Sequence, residues 1–273
     1  MSAIAVKILP AGGWGEILIP EPGSVTVIAF LVTVALSLFL TKRTGLDMRA
    51  SFWACVYGVV GALLGGWLWT LMLGPHSFFA EVMRSSLLGS DKSMLGAMIG
   101  ASLAAGLYLR VSRNPLLEYA DTLVPALFIG YVVVRLSCLL AGCCYGSPTD
   151  LPWGIEYVRG SEVFQAQVAA GLITPMASQS LKVHPVPLYH AAIGLFLYWA
   201  TRRARGRPGL PIVIAFAGYG ALRFQLEFFR GDALQLWHHL DLNHLASILL
   251  VLAGSGYWIL QTRQRTLSVH VES

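Results

Sequence analysis

Thr122-Leu-Val-Pro-Ala-Leu-Phe-Ile-Gly-Tyr-Val-Val-Val-Arg135-Leu-Ser-Cys138-Leu-Leu-Ala141 is a nearly unbroken apolar run that carries a single charge. A helix crossing a bilayer needs about 20 mostly apolar residues, so this stretch reads as a transmembrane span with an arginine inside it. Six further runs of the same kind lie near Val25–Leu40, Phe52–Met72, Met94–Leu109, Val186–Thr201, Leu210–Phe229 and Leu245–Gln261. Several are short, which a locally thin bilayer accommodates. Composition points the same way: 56% of the 273 residues are hydrophobic and 12% charged, against about 25% charged in an ordinary globular chain. The mean hydropathy is +0.64, and 8 Trp, 12 Phe and 10 Tyr suit a chain that repeatedly crosses the membrane interface. The expectation is an all-α membrane protein of about seven transmembrane helices. A nucleic-acid binder, a secreted disulfide scaffold and a disordered chain are excluded for want of charge, cysteine or polarity.

Basic residues set the orientation. Lys42, Arg43, Arg49, Arg110, Arg113, Arg202, Arg203, Arg205, Arg207, Arg263 and Arg265 fall on one side of the runs; Lys7, Arg84, Lys92, Arg159 and Lys182 fall on the other. The positive-inside rule then places the N-terminus outside and the C-terminus in the cytoplasm. The net charge of +5 reflects that topology rather than an acidic partner. The first run lacks the charge order and cleavage site of a signal peptide, so it is expected to stay in the mature protein. Residues 1–23 form an outer arm and 24–273 a single membrane domain. Within it, residues 143–185 are long enough for a small periplasmic lobe between spans four and five.

Three basic residues, Arg135, Arg223 and Arg230, lie inside spans four and six or at their outer edge. An arginine near the centre of a span costs about 2.5–3.5 kcal/mol on insertion scales, so it usually marks a site. Arg135 and Arg223 lie about seven and six residues from the outer ends of their spans, which puts both roughly 10 Å below the outer surface. Two guanidinium groups at matched depth suit a phosphate near the lipid headgroups; the plainer account is snorkelling to the interface. Tyr219, Arg223, Glu227 and Arg230 are spaced 4, 4 and 3 and share one helix face. Glu227 is one turn from both arginines. An internal ion pair explains one of them, and a bound anion would supply the counter-charge of the second.

His184-Pro-Val-Pro-Leu-Tyr189-His190 opens span five, and both histidines are expected at the mouth of the arginine-lined cleft, as capping residues or as acid/base groups. His238, His239 and His244 read as interfacial. Of the four cysteines, Cys55 reads as packing. Cys138, Cys143 and Cys144 at the outer end of span four admit three functional readings: metal ligands with His184 or His190, a disulfide, or a nucleophilic thiol. Their spacing matches no standard zinc signature, adjacent cysteines form strained bridges, and Cys138 and Cys143 are badly spaced for bonding unless Gly142 breaks the helix. Structural or weakly functional thiols are the favoured reading, and no metal is assigned. Gly61 to Gly66 and Gly96 to Gly100 carry small-xxx-small patterns that let helices approach closely.

From about Gly65 to Gly254 the chain resembles the prolipoprotein diacylglyceryl transferase family. Pro125-Ala-Leu followed by Arg135-Leu-Ser-Cys138 and Cys143-Cys144-Tyr145-Gly146 is similar to the family's signature segment, whose core reads Gly-Arg-Ile/Leu-Gly-Asn-Phe. His184-Pro185 with Leu188-Tyr189 resembles its His-Pro-Ser-Gln-Leu-Tyr-Glu. Gly218-Tyr219-Gly220-Ala221-Leu222-Arg223, then Glu227-Phe228-Phe229-Arg230 and Asp232, is similar to its late helix. The resemblance implies transfer of the diacylglyceryl group of phosphatidylglycerol, or a similar anionic phospholipid, to the lipobox cysteine of a prolipoprotein. The product is a thioether and glycerol phosphate leaves. It also implies an enzyme of the bacterial inner membrane whose site faces the periplasmic half, with prolipoprotein signal peptides as partners and no soluble cofactor. Arg135 and Arg223 would neutralise the lipid phosphate, with Tyr219, Glu227, Arg230, Tyr189, Gly146 and Cys138 shaping the substrate cleft.

The departures fall elsewhere. The family's His-Gly-Gly is here Leu95-Gly96-Ala97, its asparagine after the signature arginine is Cys138, and a nearby glutamate is Cys143. The glycine before the arginine is Val134, and the glutamate of Leu-Tyr-Glu is His190. The Gly-Arg pair of span two is Gly66-Trp67, and a tyrosine of span one falls near Val25. The phosphate-binding half is kept while acid/base and acceptor-side residues are rewritten, so His190 or His184 is the candidate replacement base. Three readings stand at this point: a lipoprotein-modifying transferase with a relocated base; a homologue using the same lipid donor with another acceptor (a glycan, a lipid or a small thiol); and a membrane thiol-redox or metal-handling protein.

Overall fold

The computed structural model describes residues 4–6, 17–19, 22–73, 91–230 and 242–271. A short antiparallel ribbon, β1 (Ile4–Val6) against β2 (Ile17–Ile19), pairs Ile4 with Ile19. The rest of the framework is helical: α1 (Pro22–Thr44), α2 (Met48–Leu73), α3 (Asp91–Val111), α4 (Leu116–Ala141), α5 (Glu162–Ala169), α6 (Val186–Arg203), α7 (Leu210–Val213), α8 (Tyr219–Glu227) and α9 (Leu242–Val271). A π-helical turn, Ile214–Gly218, joins α7 to α8. The protein is therefore an all-α membrane protein, and each of the seven apolar runs is helical.

Four of these helices carry windows long and apolar enough to cross a membrane: Val27–Thr44, Met48–Leu68, Leu116–Ala141 and His244–Arg263. Gly96–Val111 in α3 is a shorter apolar helix. Helix α6 opens on Pro187 and closes on Arg202 and Arg203, and the α7–α8 segment is divided by the π turn and carries buried Arg223 and Glu227. Leu31, Leu103, Leu107, Leu249 and Leu260 are all more than half exposed. Such outward leucines suit a lipid environment, where the apolar face needs no protein partner.

Helices therefore associate through small and hydrogen-bonding side chains. Helix α2 packs along α3, and a Cβ at Gly65 would run into the Gly96 carbonyl and the Gly100 backbone, which movement of side chains cannot relieve. Between α1 and α2, Thr41 Oγ1 and Ser51 Oγ share a buried 2.7 Å hydrogen bond. Helix α4 lies against both α1 and α6, and α8 rests on α9. At the basic end, the Asp121 carboxylate accepts the Gly209 N–H at 2.7 Å, anchoring the start of α7 to α4.

Residues 143–185 form a small lobe on the end of α4. Tyr157, Val163 and Val183 make its core, with Leu140, Tyr145 and Ile155 packed around them. Tyr157 donates its hydroxyl to the Leu139 carbonyl at 3.1 Å, tying the lobe to the last turn of the helix. Ser161 caps α5 by accepting the Phe164 N–H. His238, His239 and Asp232 lie outside the described residues, as do Lys7 and Arg84.

Candidate functional site

Three helices supply the polar groups. Helix α4 carries Tyr131 and Arg135 one turn apart, α6 carries His190 in its second turn, and α8 carries Tyr219, Arg223 and Glu227. The π turn immediately precedes Tyr219. One extra residue in a helical turn rotates everything downstream by about 100°, and such bulges recur at functional sites. Here Tyr219, Arg223 and Glu227 are all buried.

Arg135 is 1% exposed, which rules out snorkelling to the interface. Its guanidinium carbon stands 5.0 Å from the centroid of the Tyr131 ring, a cation–π distance. Tyr131 meets Tyr219 edge-to-face at 5.6 Å, and its hydroxyl hydrogen-bonds His190 Nδ1 at 2.8 Å. Arg223, 6% exposed, lies within electrostatic reach of Arg135, Tyr131 and Tyr219. The spacing of 4, 4 and 3 delivers what it promises: Glu227 sits between two arginines, with Oε2 3.6 Å from Arg223 Nη2 and Oε1 3.4 Å from Arg230 Nε. Among the described residues of this group, Glu227 thus pairs with two of the three guanidinium groups. Arg223 Nη1 is buried with no hydrogen-bond partner among them. A buried positive cluster with an unmet donor suits an anion.

His190 lies one turn inside α6, as its place in the sequence predicts. It is buried against Tyr131 and 1% exposed, because its helix turn packs onto α4. His184 is half-buried, beside Tyr189 and Phe229, with Nδ1 3.3 Å from the Tyr189 hydroxyl. Trp153 donates Nε1–H to the same hydroxyl at 2.9 Å. Gly146 joins this outer layer to the arginines: it bridges Arg230 through the backbone and donates its N–H to the His184 carbonyl at 2.9 Å. His244 is buried, 4.9 Å from Phe224 and 4.7 Å from Phe228 ring to ring, and so packs rather than lies at the interface.

The cysteines form a second cluster. Gly142 breaks α4 in the left-handed conformation (φ 71°), so the chain doubles back. The sulfurs of Cys138, Cys143 and Cys144 all lie within 4.8 Å of one another. None of the four cysteines is in a disulfide among the described residues. Hydrogen bonding to Cys138, with burial adding, pushes the Cys143 thiol up to about 12. Burial likewise raises the nearby Tyr157 phenol. Cys143 is thus protonated at neutral pH and is not itself a base.

Tyr131 is the site residue that sequence reasoning passed over. It lies four residues before Arg135, on the same helix face, and this spacing was the available signal.

The family model described as prolipoprotein diacylglyceryl transferase matches residues 15–260. The chain belongs to this family. Among its relatives, the phosphatidylglycerol--prolipoprotein diacylglyceryl transferase of Clostridium tetani is 26% identical over 238 residues, covering 85% of this chain and 89% of the relative. The enzyme of that name from Corynebacterium efficiens is 26% identical over 267 residues, covering 93% and 82%. That from Rhodococcus jostii is 30% identical over 235 residues, covering 82% and 63%. Membership accounts for the match in order and spacing of Arg135, His184-Pro185 and the Tyr219 to Arg230 face.

Proposed function

We propose that this protein is a phosphatidylglycerol-dependent transferase that moves a diacylglyceryl group to the lipobox cysteine of prolipoproteins. One observation carries the reading: Arg223 and Arg230 share the single buried carboxylate of Glu227, and buried Arg135 adds a further cation within electrostatic reach of Arg223. Phosphatidylglycerol supplies a phosphate, which takes Arg223 Nη1 and offsets the surplus positive charge. In the reaction the acceptor sulfur forms a bond to the glycerol carbon as that carbon's bond to the phosphate oxygen breaks. The electron pair leaves with glycerol phosphate, and donors already in place for the developing charge lower the barrier. The relatives' names, with phosphatidylglycerol as donor and prolipoprotein as acceptor, support the assignment.

His184 and His190 are the candidate proton acceptors. His184 Nδ1 shares a hydrogen bond with the Tyr189 hydroxyl, and in the tautomer whose proton sits on Nδ1 the Nε2 atom takes a proton from the acceptor, with partial exposure giving access. His190 acts from beneath, through Tyr131. The chain works as one seven-span domain in the bacterial inner membrane, N-terminus out, with the site in the periplasmic half and lobe 143–185 beside it.

The test is a mass-spectrometric transfer assay on the purified protein with phosphatidylglycerol and a lipobox peptide. The peptide should gain a diacylglyceryl mass, and Arg135→Ala and Arg223→Ala should abolish the gain. His190→Ala should stop turnover while lipid binding persists; full activity in that variant removes His190 from the mechanism. Arginine-dependent release of glycerol phosphate with an unmodified peptide would instead identify a different acceptor. Cys138 and Cys143, standing where the family resemblance implies asparagine and glutamate, favour that second reading.

A further inference from the structure

The thiol cluster is joined to the arginine-bearing segments through the chain. Cys138 lies one turn after Arg135 on α4, and Cys144 lies two residues before Gly146, whose backbone bridges Arg230. Its geometry is held from several directions. Gly142 reverses the chain, the Cys143 N–H bonds the Cys138 carbonyl at 3.1 Å, and Cys144 adopts φ 55°. Positive φ is uncommon for a residue other than glycine, and here it accompanies a third sulfur brought to the other two. Three thiolates around one ion at about 2.3 Å have sulfurs roughly 4 Å apart, so separations within 4.8 Å close on zinc with a contraction below 1 Å. The Cys143 thiol also reaches the Cys138 carbonyl at the end of α4, at 3.7 Å. All three cysteines are half-buried.

We propose that Cys138, Cys143 and Cys144 form a three-thiolate zinc site whose open fourth position takes the acceptor cysteine as a thiolate. The inference rests on the transferase reading above. Three protein ligands with one position left for substrate is the pattern of a catalytic zinc site, and a thiol that joins such an ion is deprotonated. The acceptor's proton passes to His184 or to water. Its sulfur lone pair then forms the bond to the glycerol carbon, and the pair of the breaking carbon–oxygen bond departs with glycerol phosphate. Zinc stays divalent throughout, so no oxidant or reductant is required. The site thereby supplies thiol activation where the family's third-span histidine is replaced by Leu95.

The experiment uses the full chain purified in detergent. Metal analysis after equilibration with zinc should give one ion per chain. Cys138→Ser, Cys143→Ser and Cys144→Ser should each weaken zinc binding by more than about 100-fold, beyond what loss of an outer-shell partner costs. A monodisperse gel-filtration profile and a thermal unfolding midpoint within a few degrees of the wild type, both measured without metal, show that these variants are folded. With cobalt in place of zinc, a thiolate-to-metal band should appear and shift when a lipobox peptide is added, but not with the same peptide carrying serine for cysteine. Absence of stoichiometric zinc, undiminished zinc in the serine variants, a disulfide in the isolated protein, or a cobalt spectrum indifferent to the peptide each overturns the proposal. Peptide-dependent spectra without any transfer would overturn the transferase reading and leave the thiol-binding site standing.

Discussion

Replacing Glu227 by glutamine removes the counter-charge that holds the arginine cluster together while keeping the shape of the side chain. The carboxylate lies 3.6 Å from Arg223 and 3.4 Å from Arg230, and its side chain is fully buried. At an effective dielectric of about 20, each pair at those distances attracts by roughly 5 kcal/mol before desolvation. Breaking a buried pair by deleting one partner typically costs about 3–5 kcal/mol, because the surviving charge stays buried. At about 2–4 °C per kcal/mol for chains of roughly 150–250 residues, a loss of about 3 kcal/mol lowers the unfolding midpoint by roughly 6–12 °C. An anionic lipid whose phosphate sits among the same arginines should then restore what the carboxylate supplied. Phosphatidylglycerol at about 100 times its dissociation constant adds about 2.7 kcal/mol, close to the whole deficit. The assay is thermal unfolding in detergent, wild type against Glu227→Gln, with added phosphatidylglycerol or a zwitterionic lipid of the same chains. If Glu227→Gln melts with the wild type, or if both lipids protect it equally, the cluster is not an anion site and the reasoning fails.

Gly146→Ala should destabilise the outer layer and lower transfer together. The added Cβ would stand 2.5 Å from His184 Cβ, 2.7 Å from the Phe229 carbonyl and 2.9 Å from that of His184. Two of these are backbone atoms, so overpacking of about 1–3 kcal/mol is expected, read as a lower melting point with lost activity. Tyr131→Phe keeps the ring beneath Arg135 but deletes the 2.8 Å bond to His190. A buried imidazole nitrogen then loses its partner at about 1–3 kcal/mol. Turnover in the peptide assay should fall, with phosphatidylglycerol binding unchanged.

Which parts of this were legible depended on whether a single helix or a meeting of elements decided them. The apolar runs and the Tyr219, Arg223, Glu227 and Arg230 face follow from 3.6-residue periodicity, and their helices and ion pairs stand where that period puts them. The depth of His190 depends on Tyr131 of another helix, so one turn into α6 reads as a cleft mouth until α4 is laid against it. The π turn was invisible because Ile214-Ala-Phe-Ala-Gly218 has the composition of any apolar helix. The cysteine cluster was hidden by backbone signs: along a continuous helix Cys138 and Cys143 diverge, and only the left-handed Gly142 and Cys144 bring their sulfurs together.

The same contrast explains where the chain departs from its family's pattern. A phosphate needs fixed positive charge, which arginine keeps at any accessible pH, so Arg135 and Arg223 have no substitute and stand where the resemblance requires them. Removing a proton from a thiol has several chemical solutions: an imidazole, a carboxylate or a metal ion. Replacement at those positions therefore does not imply loss of the reaction. Cysteines at 138 and 143 remove an amide and a carboxylate from the family pattern the chain resembles, and with Cys144 they bring three sulfurs together one turn beyond Arg135. Cys144 is held there in a left-handed conformation at φ 55°, as Arg113 is at the end of another helix. That conformation costs about 1–3 kcal/mol and persists only where the surrounding structure imposes it, and at Cys144 it accompanies the gathering of the thiols.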